Sequence, residues 1–259
     1  PISHGEPSMA DRPGRQRLDE LLVERGHAES RAKAQAMILA GLVFDRDGGR
    51  LDKAGKTLPQ DVELEVKGKD HPWVSRGGLK LAHGLERFAI DPTGLVCLDV
   101  GASTGGFTDV LLTKGARKVF AVDVGHNQLA WKLREDPRVV VMERTNARHL
   151  TSTVIPEPVD LVVCDASFIP LHLVLAAPLG LARKGARLVA LIKPQFEVGP
   201  DRVGKGGIVR DPALWQETCE RIEAFVARQP GWRVLGITAS PIEGRDGNRE
   251  FLIAAVREG

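Results

Sequence analysis

A mostly parallel, Rossmann-like α/β sheet with an antiparallel last strand, preceded by a small α+β domain, is the fold class this sequence predicts. Three observations carry that expectation. From Val96 onward, Val/Leu-rich strands alternate with helical segments, as in a parallel sheet covered on both faces. The last two strands have no helix between them, so they should pair as an antiparallel hairpin at one edge. The first strand of that series runs into a glycine-rich turn, Gly101-Ala102-Ser103-Thr104-Gly105-Gly106, and then a helix. Such a turn brings backbone N–H groups and a helix N-terminus up to a ligand.

The elements follow in order. Residues 1–8, before Met9, read as a disordered extension or an expression scar, and residues 1–14 as a whole lie outside any predicted domain. A first domain covers 15–66. Leu18, Leu21, Leu22 and Arg25 repeat at helical spacing until Gly26 closes the helix. Ser30 caps a second helix through Met37 and Ile38, stopped by Gly41. Leu42-Val43-Phe44 is a strand, and Val62–Val66 alternates apolar and charged residues as a half-exposed strand does. Residues 67–75 form a linker, and 76–259 a second domain that opens on a helix with Leu81, Leu85 and Phe88 as its buried stripe. Strands are expected at 96–100, 118–123, 139–143, 159–164, 187–193, 232–239 and 250–256. Helices are expected at 105–114, 127–135, 171–182 and 212–228.

Composition narrows the function classes. A chain of 259 residues with 42% hydrophobic residues can bury a sizeable core. Lys+Arg 36 against Asp+Glu 34 leaves +2, so an RNA-binding surface must come from arrangement rather than excess charge. The cysteines Cys97, Cys164 and Cys219 have no metal-type spacing, and two lie in apolar strands, which predicts buried free thiols. No stretch approaches the ~20 apolar residues of a membrane span, and no apolar signal core opens the chain. A membrane-lytic role therefore finds no support, and a cytoplasmic location is expected.

The glycine turn reads Gly-x-x-x-Gly-Gly, not the Gly-x-Gly-x-x-Gly of dinucleotide binders. Asp99, two residues before Gly101, suits a cationic ligand, and S-adenosylmethionine has both a sulfonium and an ammonium group. Gly101, Ser103, Gly105, Gly106 and Phe107 are the expected cradle. Asp123 ends the second strand, about 20 residues beyond the turn, where an acid accepts hydrogen bonds from ribose hydroxyls. Asn146 follows the third strand, as a contact to an adenine edge or as an ordinary loop asparagine. Asp165, Lys193 and Glu250 sit at strand ends on one sheet edge, the edge where ligands bind in open α/β sheets. A lysine after five apolar residues is costly unless paired, so these groups form either a catalytic cluster or a structural ion-pair network. Two decoys are weaker. Gly101–Gly105 fits the Gly-x-Ser-x-Gly nucleophile elbow, but it follows the first strand, and His126, His149 and His172 are poorly placed for a triad base. Gly199–Gly206 approximates a phosphate loop without its Ser/Thr, and reads as a mobile loop offering Lys205 and Arg210 to phosphates.

Asp99–Asp109, Asp165-Ala166-Ser167-Phe168, Lys193-Pro194-Gln195-Phe196-Glu197 and Ser75-Arg76-Gly77-Gly78-Leu79-Lys80-Leu81 together resemble the TlyA family, the FtsJ-type rRNA 2′-O-methyltransferases often called hemolysins. The resemblance covers residues 15–257. It implies a class I methyltransferase sheet, S-adenosylmethionine as cofactor, and a Lys-Asp-Lys-Glu catalytic tetrad on Lys80, Asp165, Lys193 and Glu250. The implied product is ribose 2′-O-methylated cytidine in 16S and/or 23S rRNA. Through the family, that modification is linked to sensitivity to ribosome-targeting cyclic peptide antibiotics. The block Arg17-Leu18-Asp19 to Gly41-Leu42-Val43 resembles the αL-type RNA-binding domain, so Arg17, Arg31 and Lys33 are expected on RNA with Lys205 and Arg210. The partner implied is rRNA in ribosomal subunits, with no membrane, no metal and a monomeric enzyme. Some members carry Arg-Ala-Trp-Val where this chain has His71-Pro72-Trp73-Val74.

Overall fold

A computed structural model describes residues 14–68, 71–244 and 247–259. The extension expected at residues 1–14 therefore lies outside the described residues up to position 13. The chain divides into two compact units, Pro1–Asp70 and His71–Gly259.

In the first unit, helices α1 (Leu18–Glu24) and α2 (Arg31–Leu39) pack together, with the Ser30 hydroxyl capping the Lys33 N–H at 3.2 Å. Four three-residue strands form two antiparallel ribbons: β1 (Arg15–Arg17) pairs with β3 (Thr57–Pro59), and β2 (Val43–Asp45) with β4 (Leu64–Val66). Leu18, Leu22, Ile38, Val43 and Leu58 are among the core residues. β1 and β3 escape the sequence reading because Arg15-Gln16-Arg17 shows no apolar alternation. Arg25, expected on the helical stripe, instead donates to the Val62 and Gln60 carbonyls and ties the helix end to the loop before β4.

The second unit opens on α3 (Gly77–Arg87) and carries a seven-stranded sheet. Its strands are β5 (Val96–Val100), β6 (Lys118–Val122), β7 (Val139–Met142), β8 (Val159–Cys164), β9 (Ala182–Ile192), β10 (Trp232–Ala239) and β11 (Phe251–Arg257). The order is β10-β11-β9-β8-β5-β6-β7, parallel from β9 through β7, with β11 antiparallel to both its neighbours. Strand alternation sorts the core. Cys97, Val119, Leu161 and Leu191 face α3, α4 (Gly106–Thr113) and α5 (Trp131–Arg134), whereas Leu98, Val162, Leu188 and Ile253 face α6 (Leu171–Val174), α7 (Ala176–Gly180) and α8 (Pro212–Ala227). Both Cys97 and Cys164 are buried free thiols, and burial pushes the Cys164 thiol up to about 12.

Two helices are shorter than their sequence pattern. The one expected at 127–135 is only α5, because Asn127 takes a left-handed φ of +54° and the Ala130 N–H bonds the Thr104 carbonyl instead of a helical partner. The one expected at 171–182 splits into α6 and α7. Pro178 has no N–H to continue the helical ladder there. β9 also starts at Ala182, ahead of the expected 187.

Candidate active site

From β5 the chain turns one way to β6 and β7 and the other way to β8 and β9, so the strand order reverses beside β5. The crevice outside the carboxyl ends of strands at such a reversal is where open α/β sheets bind ligands. Gly101 follows β5 at that point with φ +79°, and a Cβ there would lie 2.8 Å from the Ala166 Cα after β8. The turn is therefore pressed against the opposite strand end. At Gly106 the missing Cβ makes room for the Ser75 hydroxyl and the Gly78 N–H, not for a ligand. Gly105 caps α4 against Leu133, and the Phe107 ring is buried in the core, leaving only its backbone N–H to offer.

Carboxylates surround this turn. Asp99 is fully buried; the Thr108 hydroxyl donates to one oxygen at 2.7 Å, and the other oxygen has no partner. Burial pushes its pKa up to about 7, against the Thr108 bond, with the charges of Asp165 and Asp123 adding to the rise. Asp123 accepts the Ser103 N–H and the Gly125 N–H, both at 2.8 Å, so it fixes the turn to the end of β6. A carboxylate has about four lone-pair sites, so it retains capacity for two hydroxyls. Ser103 itself is exposed, at φ +50°. Asn146 is exposed and caps the short helical turn Ala147–His149 by accepting the Arg148 N–H at 3.0 Å. That gives it a loop role and leaves its amide NH2 as the group for a ligand.

The four strand-end and helix residues converge as two ion pairs. Lys80 of α3 meets Glu250 at 2.5 Å, and Lys193 meets Asp165 at 2.6 Å. Lys80, Lys193 and Glu250 are buried, and Asp165 is partly open. Burial pushes the Lys193 pKa down, but the Asp165 and Glu250 carboxylates outweigh it and hold the ammonium above its ordinary value. The Lys193 ammonium also donates to the Ser167 hydroxyl at 3.0 Å, and the Gln195 amide donates to Glu250 at 3.2 Å. Neither Ser167 nor Gln195 stood out in the sequence as a site residue. Their only signal was position, two residues after Asp165 and Lys193 in the quoted motifs, although they bond Lys193 and Glu250. Phe168 is a second omission. It is 84% exposed, takes φ +63°, and lies 4.9 Å from the Phe196 ring. A bulky residue held left-handed and exposed beside a buried lysine is strain of the kind that marks functional sites.

The residues expected on RNA have contacts of their own. Arg17 reaches Asp19 with two bonds of 3.0 Å, and Arg31 and Gln35 reach the same carboxylate at 3.2 and 2.8 Å. Those bonds hold the Asp19 carboxyl below the usual range and give both arginines a structural task, although each stays about half exposed. The Lys33 side chain makes no hydrogen bond or ion pair among the described residues. Lys205 and Arg210 are exposed, and the Arg210 guanidinium donates to the Lys205 backbone carbonyl at 3.4 Å.

Residues 73–257 match the FtsJ-like methyltransferase family. The chain is 50% identical over 240 residues, 92% of its length and 89% of the relative's, to the 16S/23S rRNA (cytidine-2′-O)-methyltransferase TlyA of Mycobacterium tuberculosis. The chain is a TlyA-type member of the FtsJ-like methyltransferase family. Hemolysin A of Brachyspira hyodysenteriae is 41% identical over 91% of this chain and 98% of its own. Among solved structures, a hemolysin-named protein of Streptococcus thermophilus superposes with a TM-score of 0.79 at 42% identity, covering 94% of this chain and 89% of that one. Membership brings S-adenosylmethionine as the cofactor, and the residues present fit it. The buried, unpartnered Asp99 oxygen and the Asp123 lone pairs are acceptors without enough donors, beside a turn whose N–H groups open α4. Among the described residues no helix is long and apolar enough to cross a membrane.

Proposed function

We propose that this FtsJ-like methyltransferase methylates the ribose 2′-hydroxyl of cytidine in 16S and/or 23S rRNA. The observation that carries the reading is the pair of buried lysine–carboxylate contacts, Lys80–Glu250 and Lys193–Asp165, at the sheet edge beside the glycine turn. The name of the Mycobacterium tuberculosis relative supports the substrate.

S-adenosylmethionine supplies an electrophilic methyl group on a sulfonium. Asp123 would take its ribose, Asp99 its cationic end, and the N–H groups that open α4 its carboxylate. A ribose hydroxyl is a weak nucleophile and needs charge or a base beside it as it attacks. Lys193 orients that oxygen; Asp165 and Ser167 fix its amine, while Glu250 and Gln195 fix Lys80. With the cofactor bound, the hydroxyl oxygen would receive its methyl group while the hydroxyl proton would leave toward Lys193. Because the carboxylates keep Lys193 protonated in the free protein, it accepts that proton only after releasing its own to solvent. The neighbouring Lys80 cation and desolvation by RNA both favour that loss. Phe168, exposed beside Ser167, gives the target base a face to stack on.

Arg17, Arg31, Lys33, Lys205 and Arg210 would contact phosphates, which position RNA without reading its sequence. The enzyme acts as a cytoplasmic monomer in this reading, and its product sensitises ribosomes to cyclic peptide antibiotics. The test is labelled-methyl transfer to separated ribosomal subunits, followed by ribose mapping. Label on a 2′-oxygen of cytidine, undiminished in EDTA, is the expected result. Base methylation, or no transfer to either subunit, would refute it.

A further inference from the structure

Outside the tetrad, one cleft of about 320 Å³ opens at the start of β11, lined by Pro212, Trp215, Gln216, Cys219, Arg249 and Phe251. Arg249 and Phe251 flank Glu250 in the chain. Because side chains alternate along a strand, Glu250 turns toward α3 and Lys80, whereas Phe251 packs toward α8 on the other face. The cleft thus lies across one strand end from the reacting ribose. The Arg249 guanidinium rests 5.4 Å from the Trp215 ring and 5.9 Å from that of Phe251.

The surrounding loop is built onto this spot. Asn248 is buried, accepts the Val209 N–H at 3.0 Å and donates to the Gly207 carbonyl at 2.9 Å. Trp215 donates its indole N–H to the Val209 carbonyl at 2.9 Å. These bonds hold the loop that carries Lys205 and Arg210 against Asn248, the residue before Arg249. None of the three cations pairs with a carboxylate among the described residues. An apolar aromatic cleft with unneutralised cations at its rim suits a base with its phosphate. Single-stranded RNA is held in that way, by stacking on aromatic and guanidinium planes.

We infer that this cleft binds the nucleotide next to the methylated one, its base against Trp215 and Phe251 and its phosphate on Arg249. The inference rests on the RNA reading above. It makes Arg249 and Trp215 substrate-binding residues for the strand leaving the tetrad.

The experiment compares wild type, Arg249→Ala and Trp215→Leu in methyl transfer to ribosomal subunits across a salt series, with S-adenosylmethionine affinity by calorimetry as the folding control. Arg249→Ala should raise KM for subunits about tenfold with kcat nearly unchanged, and lower the log–log salt slope by about one, the signature of one lost phosphate contact. Trp215→Leu should raise KM by about tenfold as well while keeping the wild-type slope, since no charge is removed. Unchanged KM and slope in both variants, with wild type active, overturns the subsite and gives the cleft to another occupant. A fall in kcat alone overturns it too, because Arg249 would then act through Glu250. A wild-type protein that methylates no rRNA ribose overturns the underlying reading itself.

Discussion

Burial acts on Lys193 and Asp99 alike, yet their charges end differently. Two carboxylates defeat desolvation at Lys193 and keep it charged; Asp99 has only a hydroxyl, and desolvation wins. For Lys193 the raised value means its pairing stabilises the fold below the unfolded lysine value of about 10.4 and is lost as pH rises through the folded one. Catalysis by a neutral Lys193 should therefore speed up with pH. Single-turnover methyl transfer is expected to climb from pH 7 to 9, and a flat profile would place the base elsewhere. Lys193→Met should abolish transfer while S-adenosylmethionine still binds. Asp99 has the same sign in a lower window. Between about 4, where an unfolded aspartate titrates, and about 7, the folded protein keeps a proton the unfolded chain has lost. Stability falls across that window as pH rises. Urea unfolding at pH 5 and pH 8 should show wild type losing more stability than Asp99→Asn; equal losses would contradict the assignment. Asp123→Ala should weaken cofactor binding by about 1.5–3 kcal/mol, the scale of hydrogen bonds to a charged group, and calorimetry reads it directly. Strand ends marked Asp165, Lys193 and Glu250 in the sequence, whereas Lys80 entered only through the family resemblance, because a lysine on an amphipathic helix carries no signal of its own. The sequence could not show which carboxylate takes which lysine, nor Ser167 and Gln195, since those pairings depend on side-chain reach across the sheet edge.

At the scale of elements, the segments around the site are positioned by glycines that other groups fill. A Cβ on Gly244 would collide with the Glu250 carboxylate, so this loop is shaped to the tetrad. Gly244→Ala is expected to displace Glu250 from Lys80 and cut kcat severalfold, leaving cofactor affinity intact; normal turnover in that variant would detach the loop from catalysis. Residues 71–75 behave similarly. Trp73 and Val74 pack on the core of the second unit, and the Val74 N–H donates at 2.8 Å to Asp109, which Lys132 also meets at 3.2 Å. The stretch that reads as linker is thus anchored to α4, the helix that opens on the glycine turn. Periodicity recovered the long elements, whose apolar faces span several turns or a full strand. It overextended the helices at 127–135 and 171–182, where a single left-handed residue and a proline decide the outcome and leave little trace in hydrophobic spacing.

For the molecule as a whole, two compact units separate at Asp70/His71, and every residue proposed to hold the cofactor or to form the tetrad belongs to the second. Deleting residues 1–70 should leave S-adenosylmethionine binding intact and remove most methyl transfer to ribosomal subunits; wild-type site choice by the fragment would show that the first unit does not target the RNA. The sheet carries one more consequence. β11 comes last in the chain yet lies between β9 and β10, and Lys80 waits for Glu250 across 170 residues. Contacts so distant in sequence form late and slowly. During synthesis the earlier strands can pair and the glycine turn can take shape, but the reacting centre does not exist until residue 257 has cleared the exit tunnel and threaded home.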